Sequence, residues 1–87
     1  MLVTAIYTTD PWHSRKSMEL IGIATTEKQR DRLIRQYLNQ NLFEKPTKEE
    51  ISRAIKEVQE NGQTHSLSDT KADQEIYTET FKTNIIL

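Results

Sequence analysis

The chain begins with two short segments in which β-branched, aromatic and other apolar residues dominate. The first, Leu2 to Thr9, is closed by the turn dipeptide Asp10-Pro11, in which proline fixes φ and removes a hydrogen-bond donor. The second runs from Ser17 to Thr26 and has a period of two. Alternation gives it a mostly apolar side, Met18, Leu20, Gly22 and Ala24, and an opposite side, Glu19, Ile21 and Ile23. Both segments are therefore predicted to be β-strands.

Two amphipathic helices are predicted next. Thr26 and Gln29 form a capping box that starts the first, and Thr47 and Glu50 form another that starts the second. Gly62 follows the second helix and can adopt the left-handed conformation of a C-terminal cap. The apolar residues at helical spacing are Leu33, Ile34, Tyr37, Leu38 and Leu42 in the first helix, and Ile51, Ala54, Ile55 and Val58 in the second.

The last third of the chain is polar and then alternating. Residues 63–74 are predicted to be either a loop or a weak edge strand, with a short extended piece at 64–67. From residue 75 onward the segment EIYTETFKTNIIL alternates along its length and predicts a long final strand. The order β-β-α-α-β predicts an α+β fold: a small antiparallel sheet with two helices packed on one face, the last strand pairing with the first.

Composition limits the size of the core. The chain has 87 residues, of which 34 % are hydrophobic, so we expect one domain, 1–87, with a small core. It contains no cysteine and no apolar run long enough to cross a membrane, and we expect a cytoplasmic protein with no membrane association. A homodimer would add core surface. Its predicted contacts lie on the last strand, at Phe81 and at an overhanging end, Ile85, Ile86 and Leu87.

The loop DPWHSRK between the first two strands is longer than a hairpin needs. It contains the only tryptophan of the chain, Trp12, beside His13, Arg15 and Lys16. An aromatic side chain next to cations is typical of contact surfaces, so these four residues are candidate partner-binding residues. The alternative interpretation is that Trp12 folds back over the core edge while the other three are solvated turn residues.

Charge offers a second candidate surface. The net charge is −1, but residues 10–36 carry six cations against four anions, and residues 37–87 carry six against nine. Lys28, Arg32 and Arg35 on the first helix are candidate phosphate contacts. The alternative is an ordinary solvated helix face in which Asp31 pairs with Arg35.

No catalytic constellation or metal site is predicted, and no cofactor. The two histidines, His13 and His65, are far apart in sequence, and no thiolate accompanies them. His65, Ser66 and Asp69 are the residue types of a hydrolytic triad, but neighbours on a polar loop do not establish its geometry. Acidic residues at the last strand, Asp73, Glu75 and Glu79, either protect an edge or face a basic partner.

The segments VTAIYTTD and MELIGIATTEKQRDRLIRQYL, with GQTHSLSD and EIYTETFKTNIIL near the end, resemble a loose class of small uncharacterised bacterial, phage and plasmid proteins. The shared features are a strand, an "IG" strand followed by a threonine-capped helix, and a closing strand. The resemblance implies a setting in mobile elements, whose small proteins commonly bind, block or recruit host proteins. It implies no activity and no site residues.

These observations lead to two hypotheses. The first is a non-enzymatic protein-binding module, for example a phage-encoded or mobile-element-encoded inhibitor or adaptor acting on a bacterial protein. The second is a weak, sequence-independent nucleic-acid-binding protein that uses Arg15, Lys16 and the cations of the first helix. Small-ligand binding beneath the helices is a third class that sequence alone leaves open.

Overall fold

The computed structural model describes residues 2–40 and 45–82, and it has the predicted α+β architecture. The elements are β1 (Leu2–Thr9), β2 (Glu19–Ala24), α1 (Glu27–Gln40), α2 (Lys48–Asn61) and β3 (Glu75–Lys82). Leu42, and the predicted overhang at Ile85, Ile86 and Leu87, lie outside the described residues.

The strands form one antiparallel sheet in the order β2-β1-β3. The last strand pairs with the first over its whole length, from Leu2 opposite Lys82 to Thr9 opposite Glu75, which confirms the expected pairing. The central strand, β1, is therefore hydrogen-bonded on both sides, while β2 and β3 lie on its flanks.

Both helices begin at the predicted caps. At α2, the Glu50 amide donates to the Thr47 hydroxyl at 3.2 Å, and the Thr47 amide donates to the Glu50 carboxylate at 2.8 Å. At α1, the Gln29 amide donates to Thr26 Oγ1 at 3.1 Å, but the Gln29 side chain accepts from the Thr25 amide. This second contact replaces the reciprocal bond of a complete capping box.

One face of the sheet lies beneath the helices, and we call it the helix face. Ile6 of β1, Ala24 of β2 and Ile76 of β3 project from it and are fully buried. Their partners in the core come from α1, α2 and the loop after α2: Ile34, Leu38, Ile51, Ala54, Ile55, Val58 and Leu67. Burial of this apolar surface is the main stabilising contribution to the fold.

A β-bulge in β2 changes which of its side chains share a face. Ile6 pairs with Gly22 and Tyr7 pairs with Leu20, so Ile21 is an extra residue. Ile21 packs against the core, and an added Cβ at Gly22 would meet a Leu33 methyl at 3.1 Å. The sides predicted from strict alternation are therefore wrong for β2, because the bulge reverses the alternation at its middle.

The segment after α2 combines the two predicted alternatives. Gln63 forms a single bridge to Tyr77, and the Thr64 amide donates to the Ile76 carbonyl at 2.9 Å, which extends the sheet beyond β3. The chain then turns through a short 3₁₀ helix, Leu67–Asp69. Only the start of the predicted extended piece at 64–67 is therefore sheet-like, and the remainder is loop.

Candidate protein-contact surface

The loop between β1 and β2 is fixed in shape by Asp10. One carboxylate oxygen, Oδ1, accepts hydrogen bonds from the amides of Trp12 at 3.1 Å and Ser14 at 2.9 Å. The Asp10 amide donates to the Ser17 hydroxyl at 2.8 Å, and Ser17 in turn donates to the Ser14 carbonyl at 2.7 Å. An aspartate carboxylate that accepts hydrogen bonds from backbone amides further along the chain stabilises a turn in the same way as a backbone carbonyl. The loop therefore has a defined conformation.

His13 attaches this loop to a distant part of the chain. Its Nε2 lies 3.0 Å from the carbonyl oxygen of Thr64, in the segment beside β3. The His13 ring also packs edge-on against the ring of His65, with 5.6 Å between centroids. The structure thus brings together two histidines that are far apart in the sequence. The loop extends from the end of β1 to the far edge of β3.

Trp12 is directed away from the protein, and 82 % of its surface is exposed. Arg15 and Lys16 beside it are also exposed, whereas His13 is half-buried. The expectation that Trp12 covers the core edge is wrong. The hydrogen bonds of Asp10 fix the backbone around Trp12 and leave its side chain in solvent.

A small cleft separates the loop from the sheet. Its volume is about 110 Å³, and it is lined by His13, Arg15, Met18, Tyr77 and Glu79. Sites for small organic ligands usually enclose about 300 to 1,000 Å³, so this cleft has room for one side chain of a partner. The sequence prediction missed Met18, Tyr77 and Glu79 as neighbours of the loop. The sequence feature that could have indicated these contacts is the apolar side of β1 that faces away from the helices. Such a side is stabilised when a neighbouring segment, here the loop, shields part of it from water.

The second face of the sheet is not covered by a helix, and we call it the open face. Beyond the loop, it carries an apolar strip formed by Val3, Leu20, Ile23 and Phe81, with Tyr7 between them. Leu20, Ile23 and Phe81 are 53 %, 55 % and 45 % exposed. Strands of an antiparallel sheet with one face in water normally direct apolar side chains toward the core and polar side chains toward water. An apolar strip on the water-facing side therefore resembles a contact surface.

The candidate phosphate contacts lie on the other side of the molecule. Lys28, Arg32 and Arg35 are all exposed along one stripe of α1, above the helix face of the sheet. Asp31 does not pair with Arg35. It forms an ion pair with Arg30 at 3.0 Å and accepts from Gln59 of α2 at 2.9 Å. The sheet lies between this stripe and the basic loop residues, so the structure does not bring the two basic groups together.

The residues with hydrolytic side-chain types have other partners. Ser66 Oγ donates to a Glu57 carboxylate oxygen at 3.0 Å, and the His65 amide donates to the other oxygen at 3.1 Å. The His65 ring lies against His13 instead of Ser66. Within residues 2–40 and 45–82, no group of three or more metal-ligating side chains converges.

A second cavity of about 190 Å³ lies at the other end of the sheet, beside the start of α1. Threonines from β1, from β3 and from the turn before α1 line it, together with the partly buried Arg30 and with Leu2 and Glu27; the threonines are Thr4, Thr25, Thr26 and Thr80. Arg30 Nη2 is buried, and it has no hydrogen-bond partner among the described residues. Because Nη2 has almost no accessible surface, a molecule in the cavity could contact it only after the side chain moves.

Neither known protein families, nor curated proteins, nor solved structures give a match to this chain. In the described part of the chain, neither helix has the length and apolar character needed to span a bilayer.

Proposed function

We propose that this chain is a non-enzymatic protein-binding module whose contact loop is DPWHSRK. The observation that carries the proposal is the 82 % exposure of Trp12 on a loop whose backbone is held by Asp10. Tryptophan is the residue type most enriched among energetically dominant interface contacts. A loop that is already ordered loses little conformational entropy on binding, so its affinity is not reduced by folding of the loop.

The surroundings of Trp12 indicate the chemistry of the partner. Arg15 and Lys16 are exposed beside it, and the cleft at Met18 and Tyr77 can receive one side chain. We expect a partner surface with an apolar pocket for the indole and an acidic rim that faces the two cations. Complementary charge at such a rim accelerates association and selects the partner.

The biological setting belongs to the same proposal. The resemblance to small phage and plasmid proteins supports a bacterial protein as the partner, with this chain as an inhibitor or adaptor. The absence of cysteine is consistent with the reducing cytoplasm as the site of action. We include a homodimer in the proposal because an 87-residue chain with few apolar residues gains stability from shared surface.

Quantitative affinity capture from bacterial lysate would test the proposal with three baits: the wild type, Trp12→Ala, and the matched control Gln36→Ala on the exposed side of α1. We expect a protein captured equally by the wild type and the control and at least about tenfold less by Trp12→Ala. After purification, the captured protein should bind the wild-type chain directly, as measured by isothermal titration calorimetry. Identical capture by all three baits would overturn the proposal.

Exposure of Lys28, Arg32 and Arg35 favours a second candidate function, non-specific nucleic-acid binding through α1 alone. Fluorescence anisotropy with a labelled DNA oligonucleotide would test it. Affinity should fall steeply between low and moderate salt because several phosphates are contacted, and Arg32→Ala should weaken binding. No measurable binding at low salt would remove this candidate.

A further inference from the structure

The end of α2 is attached to β3 through the backbone of Gly62. The Gly62 amide donates to the Val58 carbonyl at 2.9 Å, as expected for a left-handed helix cap. The Gly62 carbonyl accepts from the Thr78 amide at 2.9 Å and from the Thr78 hydroxyl at 2.6 Å. We call this contact between Gly62 and Thr78 the α2–β3 junction. Asn61, immediately before it, is exposed to solvent.

Asn61 is also the only asparagine of the chain that is followed by glycine. Asparagine is chemically labile, and a following glycine makes it most labile because no side chain shields the backbone nitrogen. In this reaction the deprotonated Gly62 nitrogen attacks Cγ of Asn61. A new N–C bond forms, the C–N bond of the side-chain amide breaks, and ammonia leaves. Water then opens the resulting succinimide ring at one of its two carbonyls, which gives aspartate or isoaspartate.

The folded state opposes this attack. The Gly62 hydrogen that must be lost is engaged with the Val58 carbonyl, and the nitrogen is held in the last turn of the helix. The two bonds from Thr78 hold the other side of the same residue. Attack on Asn61 therefore requires the end of α2 to separate from β3, which is a local opening of the fold.

We propose that Asn61-Gly62 is a self-modification site that the fold holds closed. When the α2–β3 junction opens, Asn61 deamidates with water as the only co-reactant. The modified chain then fails to restore the junction, so a reversible opening becomes a permanent change.

The products explain why the change is permanent. Both carry a carboxylate in place of the Asn61 amide, next to Glu60, at the end of a helix where the macrodipole disfavours negative charge. Isoaspartate also lengthens the backbone by one carbon, which displaces the Gly62 carbonyl from the Thr78 donors. The modified junction is therefore less stable than the original one.

Opening of the junction also affects the contact loop. Two residues after Gly62, the Thr64 amide donates to the Ile76 carbonyl at 2.9 Å, and the Thr64 carbonyl lies 3.0 Å from Nε2 of His13. Release of this segment from β3 removes the contact by which His13 attaches the loop. Any resulting loss of partner binding rests on the proposed function, whereas deamidation and opening of the junction do not.

Mass spectrometry of the full chain, incubated folded and in urea in a mildly alkaline buffer, would test whether the fold controls the reaction. Asn39, which precedes Gln40, is the internal reference. In urea we expect Asn61 to deamidate faster than Asn39. In the folded chain Asn61 should react at least about tenfold more slowly than in urea. This comparison uses the wild type and needs no variant to fold.

A pair of variants tests the role of Thr78. Thr78→Val removes the hydroxyl that donates to Gly62, and it should accelerate deamidation of the folded chain about fivefold. Thr80→Val is the matched control, because it removes a hydroxyl of the same strand that contacts Thr4 instead. We expect the control to change the rate by less than about twofold.

Hydrogen exchange of the purified deamidated chain would test the consequence. The Thr64 and Thr78 amides, which bond across the junction, should exchange at least about tenfold faster than in the unmodified chain. Asn61→Gln, incubated in the same way, is the control that retains an amide and should keep slow exchange at both positions.

Three results would overturn the proposal. One is an Asn61 that does not deamidate faster than Asn39 in urea, and another is an equal rate in the folded and unfolded chains. The third is a deamidated chain whose Thr64 and Thr78 amides exchange as slowly as before. If the junction opens on deamidation but the wild type captures no partner, the proposed binding function fails and the modification site does not.

Discussion

The hydroxyl of Thr64 donates a 2.5 Å hydrogen bond to the carboxylate of Glu75, and both side chains are fully buried. Glu75 also accepts from the amides of Leu67 at 3.2 Å and Ser68 at 3.1 Å. Thr64 accepts from the Ile76 amide at 2.8 Å. The carboxylate therefore holds the loop after α2 against the start of β3. Glu75 is therefore neither an exposed acid that protects a strand edge nor one that faces a basic partner, and both interpretations from the sequence are wrong for this residue.

Replacement of Glu75 by glutamine should destabilise the fold by about 2 to 4 kcal/mol, because one amide nitrogen would then face backbone donors in a buried site. Urea denaturation would measure the free energy of unfolding. Glu79→Gln is the matched control in the same strand: Glu79 is only partly buried and accepts no hydrogen bond from the described residues. We expect the control to change stability by less than about 0.5 kcal/mol. Equal losses in both variants would contradict the assigned role of Glu75.

Gly62→Ala should cost about 1 to 2 kcal/mol, since Gly62 ends α2 with φ of 76°, where a Cβ is strained. Gly62→Asn should cost less, because asparagine tolerates this conformation better. Thermal denaturation of the three proteins would establish the order. If alanine is tolerated as well as asparagine, the left-handed cap does not determine the stability of this position.

Asp10→Ala should loosen the contact loop while the sheet remains intact. The amides of Trp12 and Ser14 lose their acceptor, so their hydrogen exchange should accelerate at least about tenfold, with a global loss of about 1 to 2 kcal/mol. Lys16→Ala, an exposed change in the same loop, is the control. Unchanged exchange at both amides would show that Asp10 does not order the loop.

Trp12→Ala should change the free energy of unfolding by less than about 0.5 kcal/mol, because the indole is exposed and covers little of the core. In the wild type, the fluorescence of Trp12 should resemble that of tryptophan in water and be quenched readily by a soluble quencher. A blue-shifted and protected emission would contradict the observed placement of the side chain.

Local patterns predicted the elements well because each depends on a few neighbouring residues. Thr47 with Glu50 starts α2, Gly62 ends it, and the apolar spacing between them defines its buried side. The pairing of β3 with β1 followed from the order of the elements. These features need no knowledge of which distant residues meet.

Features that depend on distant contacts were not predictable. A glycine inside a strand, here Gly22, is typical of a bulge or a close backbone approach. Strict alternation nevertheless assigned Leu20 and Ile23 to opposite sides of β2, and the register against Ile6 and Tyr7 shows that the bulge puts them on one face. The buried role of Glu75 required knowing that Thr64 returns beside β3. The solvent exposure of Trp12 depends on the turn that Asp10 stabilises and on the attachment of His13 to Thr64.

The central position of β1 also determines when the sheet can form during synthesis. β1 is made before the other elements, and its partner β3 is made after both helices, so the β1–β3 pairing joins distant parts of the described chain. Contacts this remote in sequence slow folding, because a large loop must close before they form. Until β3 is made, the β3-facing edge of β1 has no hydrogen-bonding strand beside it. An unpaired strand edge of this kind favours aggregation during folding.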